Sequence, residues 1–322
     1  MPTCPEWTDR AARELLGLRN KDGTWGYRVG AEGGVEPTAL AALALLADGT
    51  APGTARETAA REAADALAGL QRPDGSLGVS ATRPTPGWMT PYAILTWHAL
   101  HTQAERSLRA SLWLLSQAGR TLPKSDDPEH VVGHDTTIVG WPWVADTHSW
   151  LEPTALAVLA AGREGLGSHP RVREGLRLVR DRAVVTGGWN YGNKAVFGRP
   201  LRPQPAPTGL ALLTLAGRSP RDAVIDRGIA YLHESLPGVR ASASLGWGVI
   251  GLRAWGAVPS EAPGWLAEAY EQVRGRNDAG PKLAILLLAA GRESLGLFGR
   301  SEGAPATARA GADSPGGVLA DV

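Results

Sequence analysis

The sequence predicts an all-α fold, a double-walled ring of about six helix pairs in which outer and inner helices alternate. Three observations carry that expectation. Amphipathic helical stretches alternate with stretches apolar nearly all round, Asp-Gly and Gly-Gly turn signals recur between them, and the plan repeats along almost all 322 residues. A helix with one apolar stripe can sit on the outside of a bundle, whereas one apolar on every side has to be enclosed. Strand signals are scarce. The competing architecture is an open helical solenoid, and the number of repeats favours closure.

The first unit runs from an amphipathic helix over residues 9–20 through the turn at 21–27 into an apolar helix over 35–46. The second repeats it, with a helix over 59–71, the turn at 72–78 and an apolar partner opening near Thr90 and Pro91. The third has its outer helix at 108–118, then a long polar connection over 120–147, then an inner helix that starts at Glu152 and Pro153. In the fourth, 171–182 precedes the turn at 186–193 and the inner helix that opens at Ala206, Pro207 and Thr208. The fifth pairs 223–236 with 244–256, and the sixth pairs 265–276 with 282–291. One domain over residues 1–298 is expected. The Gly-, Ala-, Ser- and Pro-rich tail over 299–322 is expected not to order itself.

Composition narrows the function classes. With 33 Lys and Arg against 32 Asp and Glu, charge suggests no nucleic-acid partner. Cys4 is the single cysteine, which excludes an internal disulfide framework and a zinc site built on several thiolates. No transmembrane segment and no signal peptide is read, so a cytoplasmic protein is expected. Phosphate-loop, nucleophile-elbow and zincin motifs are absent.

The turns Asn20-Lys21-Asp22-Gly23-Thr24-Trp25-Gly26 and Gln71-Arg72-Pro73-Asp74-Gly75-Ser76-Leu77-Gly78, with Gly187-Gly188-Trp189 less closely, each followed by an apolar helix, resemble the repeats of squalene/hopene cyclases and protein prenyltransferase β-subunits. The resemblance covers most of residues 8–296. It implies an (α/α)6 toroid whose central cavity holds an isoprenoid chain. It also implies an acid at an inner-helix start, where the cyclases carry Asp-x-Asp-Asp-Thr-Ala. Trp150-Leu151-Glu152-Pro153-Thr154-Ala155 and Gly34-Val35-Glu36-Pro37-Thr38-Ala39 fall on that pattern, with Glu152 and Glu36 at the acid position and the neighbouring carboxylates replaced. Alkene protonation needs an unusually strong acid, so this departure argues against ordinary squalene cyclisation. The zinc of the prenyltransferases does not carry over, because Cys4 lies outside the repeats.

Glu152 is the expected general acid, with Asp135, Asp146 and His148 as its polar surroundings. A carboxylate ahead of a helix-opening proline is also what the helix dipole favours, so Glu36 and Glu152 have a purely structural alternative. Trp25 and Trp189 read as packing residues of the repeat turns, as does Trp247, whereas Trp88, Trp97, Trp141, Trp143 and Trp150 lie near inner-helix starts, where indole faces line a cavity and stabilise a cation. Glu36, Asn190 and Tyr191 complete the expected substrate-binding set. The basic residues Lys194, Arg199 and Arg202 after the glycine-rich turn offer an anion a docking place, with a solvated turn as the alternative. No cofactor is expected. A divalent metal on His134, Asp135, Asp146, His148 and Glu152 is a motif-free alternative, and Asp126-Asp127-Pro128-Glu129 reads as a solvated acidic turn because His130 stands where a diphosphate motif has its last carboxylate.

The resulting expectation is a terpenoid cyclase-like or prenyltransferase-like toroid that acts on or binds an isoprenoid or other elongated apolar molecule. The alternatives are a non-catalytic lipid-binding or scaffold toroid and, more weakly, a carbohydrate-active enzyme using Glu36 and Glu152 as a carboxylate pair.

Overall fold

The computed structural model describes residues 6–49, 51–123 and 133–299. Cys4, the acidic turn at 126–130 and the tail beyond Gly299 lie outside the described residues. Among the described residues, six outer helices are α1 (Glu6–Gly17), α3 (Ala55–Leu70), α5 (Ala104–Ser116), α7 (Pro170–Asp181), α9 (Ala223–Ser235) and α11 (Ala262–Val273). Six inner helices alternate with them: α2 (Val35–Leu46), α4 (Thr90–Ala99), α6 (Leu151–Arg163), α8 (Pro205–Leu215), α10 (Ser242–Arg253) and α12 (Ala279–Ala290). The only strands among the described residues are β1 (Ala195–Val196) and β2 (Arg199–Pro200), a short hairpin. The all-α expectation therefore holds.

Burial follows the pattern that separates the two helix kinds. In α1 the buried residues are Trp7, Thr8, Ala11, Ala12 and Leu15, a single stripe, whereas in α2 every residue except Glu36 and Leu46 is buried. Each inner helix packs on the next, α2 on α4, α4 on α6, α6 on α8, α8 on α10 and α10 on α12, and α12 returns to α2. This closes the ring and excludes the open solenoid. A last short helix, α13 (Ser294–Leu297), touches α2, α4, α10 and α12 together. With Phe298 fully buried and its ring 5.8 Å from that of Trp247, α13 stops the end of the ring where the inner helices finish.

A threonine sets the register of the first four units. The Thr38 hydroxyl accepts the Trp25 backbone N–H at 3.0 Å, Thr90 accepts Leu77 N–H at 3.0 Å, Thr154 accepts Trp141 N–H at 2.9 Å and Thr208 accepts Trp189 N–H at 2.9 Å. Each bond ties a turn to the start of its inner helix. In three of these turns the indole N–H also caps an outer helix: Trp25 donates to Leu15 O, Trp141 to Leu114 O and Trp189 to Val179 O. An Asp carboxylate shapes the turn of the first three units, since Asp22, Asp74 and Asp135 each accept the N–H and hydroxyl of the residue two places on. Gly75 is obligatory in the second of them, because φ is +94° and a Cβ would lie 2.4 Å from Arg109 O.

The threonine bonds make a first prediction. Thr154→Val keeps the volume but leaves the buried Trp141 N–H without an acceptor, so stability is expected to fall by about 1–3 kcal/mol in urea titration. An unchanged unfolding midpoint would show that the bond is redundant.

Candidate functional site

The threonine register places Glu36, Trp88, Glu152 and Ala206 at the same position of successive inner-helix starts. These starts gather at one end of the ring: Val35 N–H donates to Val79 O at 2.9 Å and Leu151 N–H to Tyr191 O at 2.9 Å, linking one unit's start to the next unit's turn. Glu36 and Glu152 retain some water access but are surrounded by protein on most sides. Burial pushes the Glu36 carboxyl up, an effect partly opposed by the Tyr27 hydroxyl, which donates to Glu36 Oε2 at 2.6 Å. Burial also pushes Glu152 up to about 7, with the charge of Glu36 adding to it. Tyr92, buried on α4, feels the charges of Glu36, Glu152 and Tyr27, and its phenol is held well above its usual range, first by burial. Two carboxyls and two phenols thus form one cluster at the end of the toroid where the inner helices start.

The polar surroundings expected for Glu152 engage other partners. Asp135 forms the Asx turn described above and its N–H donates to Asp181. Asp146, with an 86% exposed side chain, lies 3.8 Å from Arg120, and His148 meets Arg120 O at 3.3 Å. Neighbours in sequence diverge here because the connection leads away from the helix start. Glu36, from the first unit, is instead the charge that acts on Glu152, with Tyr27 bonded to Glu36. Among the described residues no three His, Cys, Asp or Glu side chains gather as a metal site, so the candidate set of His134, Asp135, Asp146, His148 and Glu152 is not brought together.

The tryptophans divide differently from the sequence expectation. Trp141 plays the same indole-capping part as Trp25 and Trp189, with the Arg171 guanidinium 4.4 Å from its ring centroid. Trp97 is fully buried and donates to Ala64 O on α3, so it packs an inner helix on an outer one. Trp88 and Trp143, half-buried and edge to face at 4.5 Å, do line a cavity together with Trp113 and Trp141: an apolar pocket of about 200 Å³ closed by Pro86, Pro91, Pro142 and Pro153. Trp88 also stands 5.8 Å from Tyr92, between this pocket and the carboxyl cluster. Trp150 instead walls a second pocket. Asn190 builds the turn, donating to Arg202 O at 2.5 Å, and Tyr191 is exposed, its backbone carbonyl receiving Leu151 N–H.

Tyr27 and Tyr92 escaped the sequence reading. Tyr92 carried a signal: the threonine register puts it where Leu40, Leu156 and Leu210 stand in the other units, a lone phenol in an otherwise leucine position.

No family model matches the sequence and no curated protein matches it. Solved structures do match in fold. The type II terpene cyclase MstE from Scytonema, in its apo form, is similar with a TM-score of 0.56 and 18% identity over 83% of this chain and 79% of that one. A variant of the same cyclase in complex with geranylgeranyl dihydroxybenzoate, its substrate, gives 0.57 and 16% over 90% and 96%. A protein from Actinoplanes gives 0.55 and 18% over 84% and 81%. The chain is thus a terpene cyclase-like α/α toroid in fold. No described helix is long and apolar enough to cross a membrane.

Proposed function

We propose that this toroid takes an isoprenoid or other elongated apolar molecule at the end where the inner helices start and transfers a proton to it, with Glu152 as general acid. The observation that carries this reading is the Glu152 carboxyl itself: pushed up to about 7 by burial and the charge of Glu36, it remains partly protonated at neutral pH in a cluster with Glu36 and Tyr92. The adjacent Trp88–Trp143 pocket offers apolar walls for the chain. A solved structure of similar fold holds a geranylgeranyl compound as substrate. A carboxyl with a raised pKa is readily available as a donor but weak as an acid. It suits an oxygen-functionalised isoprenoid, whose oxygen accepts a proton far more easily than an alkene does.

Incubation with epoxidised polyprenoids, squalene and geranylgeranyl diphosphate, with and without Mg²⁺, followed by product mass spectrometry, tests the reading; no conversion across that panel would overturn it. Glu152→Gln is expected to abolish turnover. Glu36→Gln is expected to move the basic limb of the pH–rate profile to lower pH, because the charge that helps raise Glu152 is gone. A limb that stays in place would remove Glu36 from that part.

A second reading, an apolar-ligand carrier without turnover, is favoured by one observation: no titratable side chain lines the Trp88–Trp143 pocket. Native mass spectrometry of protein purified from its host, showing a retained and unconverted isoprenoid, would support it over the first.

A further inference from the structure

The long connection of the third unit builds a pocket of its own. It occupies about 130 Å³. Arg120, His148, Ser149 and Trp150 come from the ends of that connection or its flanks, His134, Thr136 and Ile138 from its middle, and Arg182 and Asn193 from the neighbouring unit. Among the described residues, every titratable residue in the lining is a base, and the nearby carboxylates Asp135, Asp146 and Asp181 stand outside it.

Arg182 is the unusual member. Its side chain is only 3% exposed, and burying a guanidinium is costly unless its donors are satisfied. Its Nη1 donates to Asp181 at 3.1 Å and reaches Asp135 O at 3.4 Å, while its Nε–H is buried without a hydrogen-bond partner. Asp181 is shared, because Lys194 Nζ lies 3.3 Å from its other oxygen. Asp181 thus serves Arg182 and Lys194 together, and the charge of Asp135 also acts on Arg182. Arg120, also in the lining and with a 66% exposed side chain, is held by the 3.8 Å contact with exposed Asp146, a pairing too weak to compete with a bound anion. The Ser149 hydroxyl, which accepts Gly140 N–H, and the amide of Asn193 add donors to the lining, while the Thr136 hydroxyl donates to Leu122 O.

From this arrangement we infer that the pocket between the third unit's connection and the turn at 183–193 is a binding site for a small oxyanion, a phosphate or a carboxylate borne by a small molecule, held between Arg120, His148 and Arg182. The exposed Arg120 guanidinium fork suits two oxygens of either group, and buried Arg182 adds its positive charge. The inference does not depend on proton transfer by Glu152, since it concerns different side chains and a different ligand chemistry.

Isothermal titration of the full chain with inorganic phosphate, pyrophosphate and benzoate, backed by phosphorus-31 line broadening for the first two, is the test. Saturable binding of at least one probe is expected, weakened at least tenfold in the Arg120→Ala/His148→Ala double variant and by rising NaCl. Preference for the phosphate probes identifies a phosphorylated ligand, and preference for benzoate a carboxylate. Arg182→Gln is expected to abolish binding; because Arg182 is buried and that variant can fail to fold, the double variant at the exposed rim decides. No saturable binding of any probe, or equal affinity in wild type and the double variant, overturns the inference. Neither result bears on isoprenoid turnover, which is measured separately.

Discussion

Gly209→Ala is expected to be the most damaging small substitution in the ring, lowering stability by about 4 kcal/mol and the melting temperature by about 10 °C or preventing folding. Gly209 lies on α8 where that helix crosses α10. A Cβ there would fall 2.0 Å from Trp247 O, and a Cβ at Gly251 on α10 would fall 2.4 Å from Gly209 O. Both clashes are with backbone, so no side chain can rotate away and the two helices have to separate. Separation propagates, because α8 and α10 are consecutive inner helices of a closed ring and α10 also carries Trp247 against Phe298 at the stopped end. The same change at Gly69, exposed near the end of α3 with open space where a Cβ would stand and no left-handed backbone, is expected to stabilise by about 0.5 kcal/mol. Thermal melts of the two variants should therefore move in opposite directions. If Gly209→Ala melts within a degree or two of the wild type, the close approach of α8 and α10 is not a requirement of the fold.

The ring was legible in the sequence because the two helix kinds differ in a property that sequence displays directly, the width of the apolar face. Thr38, Thr90, Thr154 and Thr208 repeat at the starts of the inner helices, and that repetition also fixes the register. Of the candidate site, the sequence displays two positions and no more. Glu36 and Glu152 fall in a motif shared by two units, and closing the ring brings those units' helix starts to one end. Their partners did not follow. Asp135, Asp146 and His148 are near Glu152 along the chain, but the connection that carries them turns away toward Arg120 and Arg182. Tyr27 and Tyr92 are far from Glu152 along the chain; Tyr92 comes near it because α4 packs between α2 and α6, and Tyr27 joins through its bond to Glu36, tertiary consequences that local spacing does not contain. Trp141 has a second part that the sequence also displays: it stands 13 residues before Thr154, as Trp25 stands before Thr38, and this spacing makes it a capping indole as well as a pocket wall.

The carboxyl cluster should make itself visible in stability before any substrate is known. In an unfolded chain Glu152 titrates near its ordinary value of 4.5, and in the folded ring near 7. Below the first value both states hold the proton and the group contributes nothing. Between the two, the folded state binds the proton more tightly, so stability falls as pH rises, and above the second the folded state carries the full cost of an ionised, mostly enclosed carboxylate next to Glu36. That cost is about 3 kcal/mol at full enclosure and roughly 1–2 kcal/mol once the partial water access of Glu152 is allowed for. Glu152→Gln removes it. The variant is expected to be more stable than the wild type at pH 8 by about that amount and close to it at about pH 4.5, while losing turnover. Stabilisation together with inactivation is the signature of a residue kept at a cost in stability for the sake of chemistry. Guanidinium titrations of both proteins at the two pH values decide the matter. If Glu152→Gln loses stability equally at both, the carboxylate is serving the positive end of the α6 dipole as a structural group, and the proton-donor assignment fails with it.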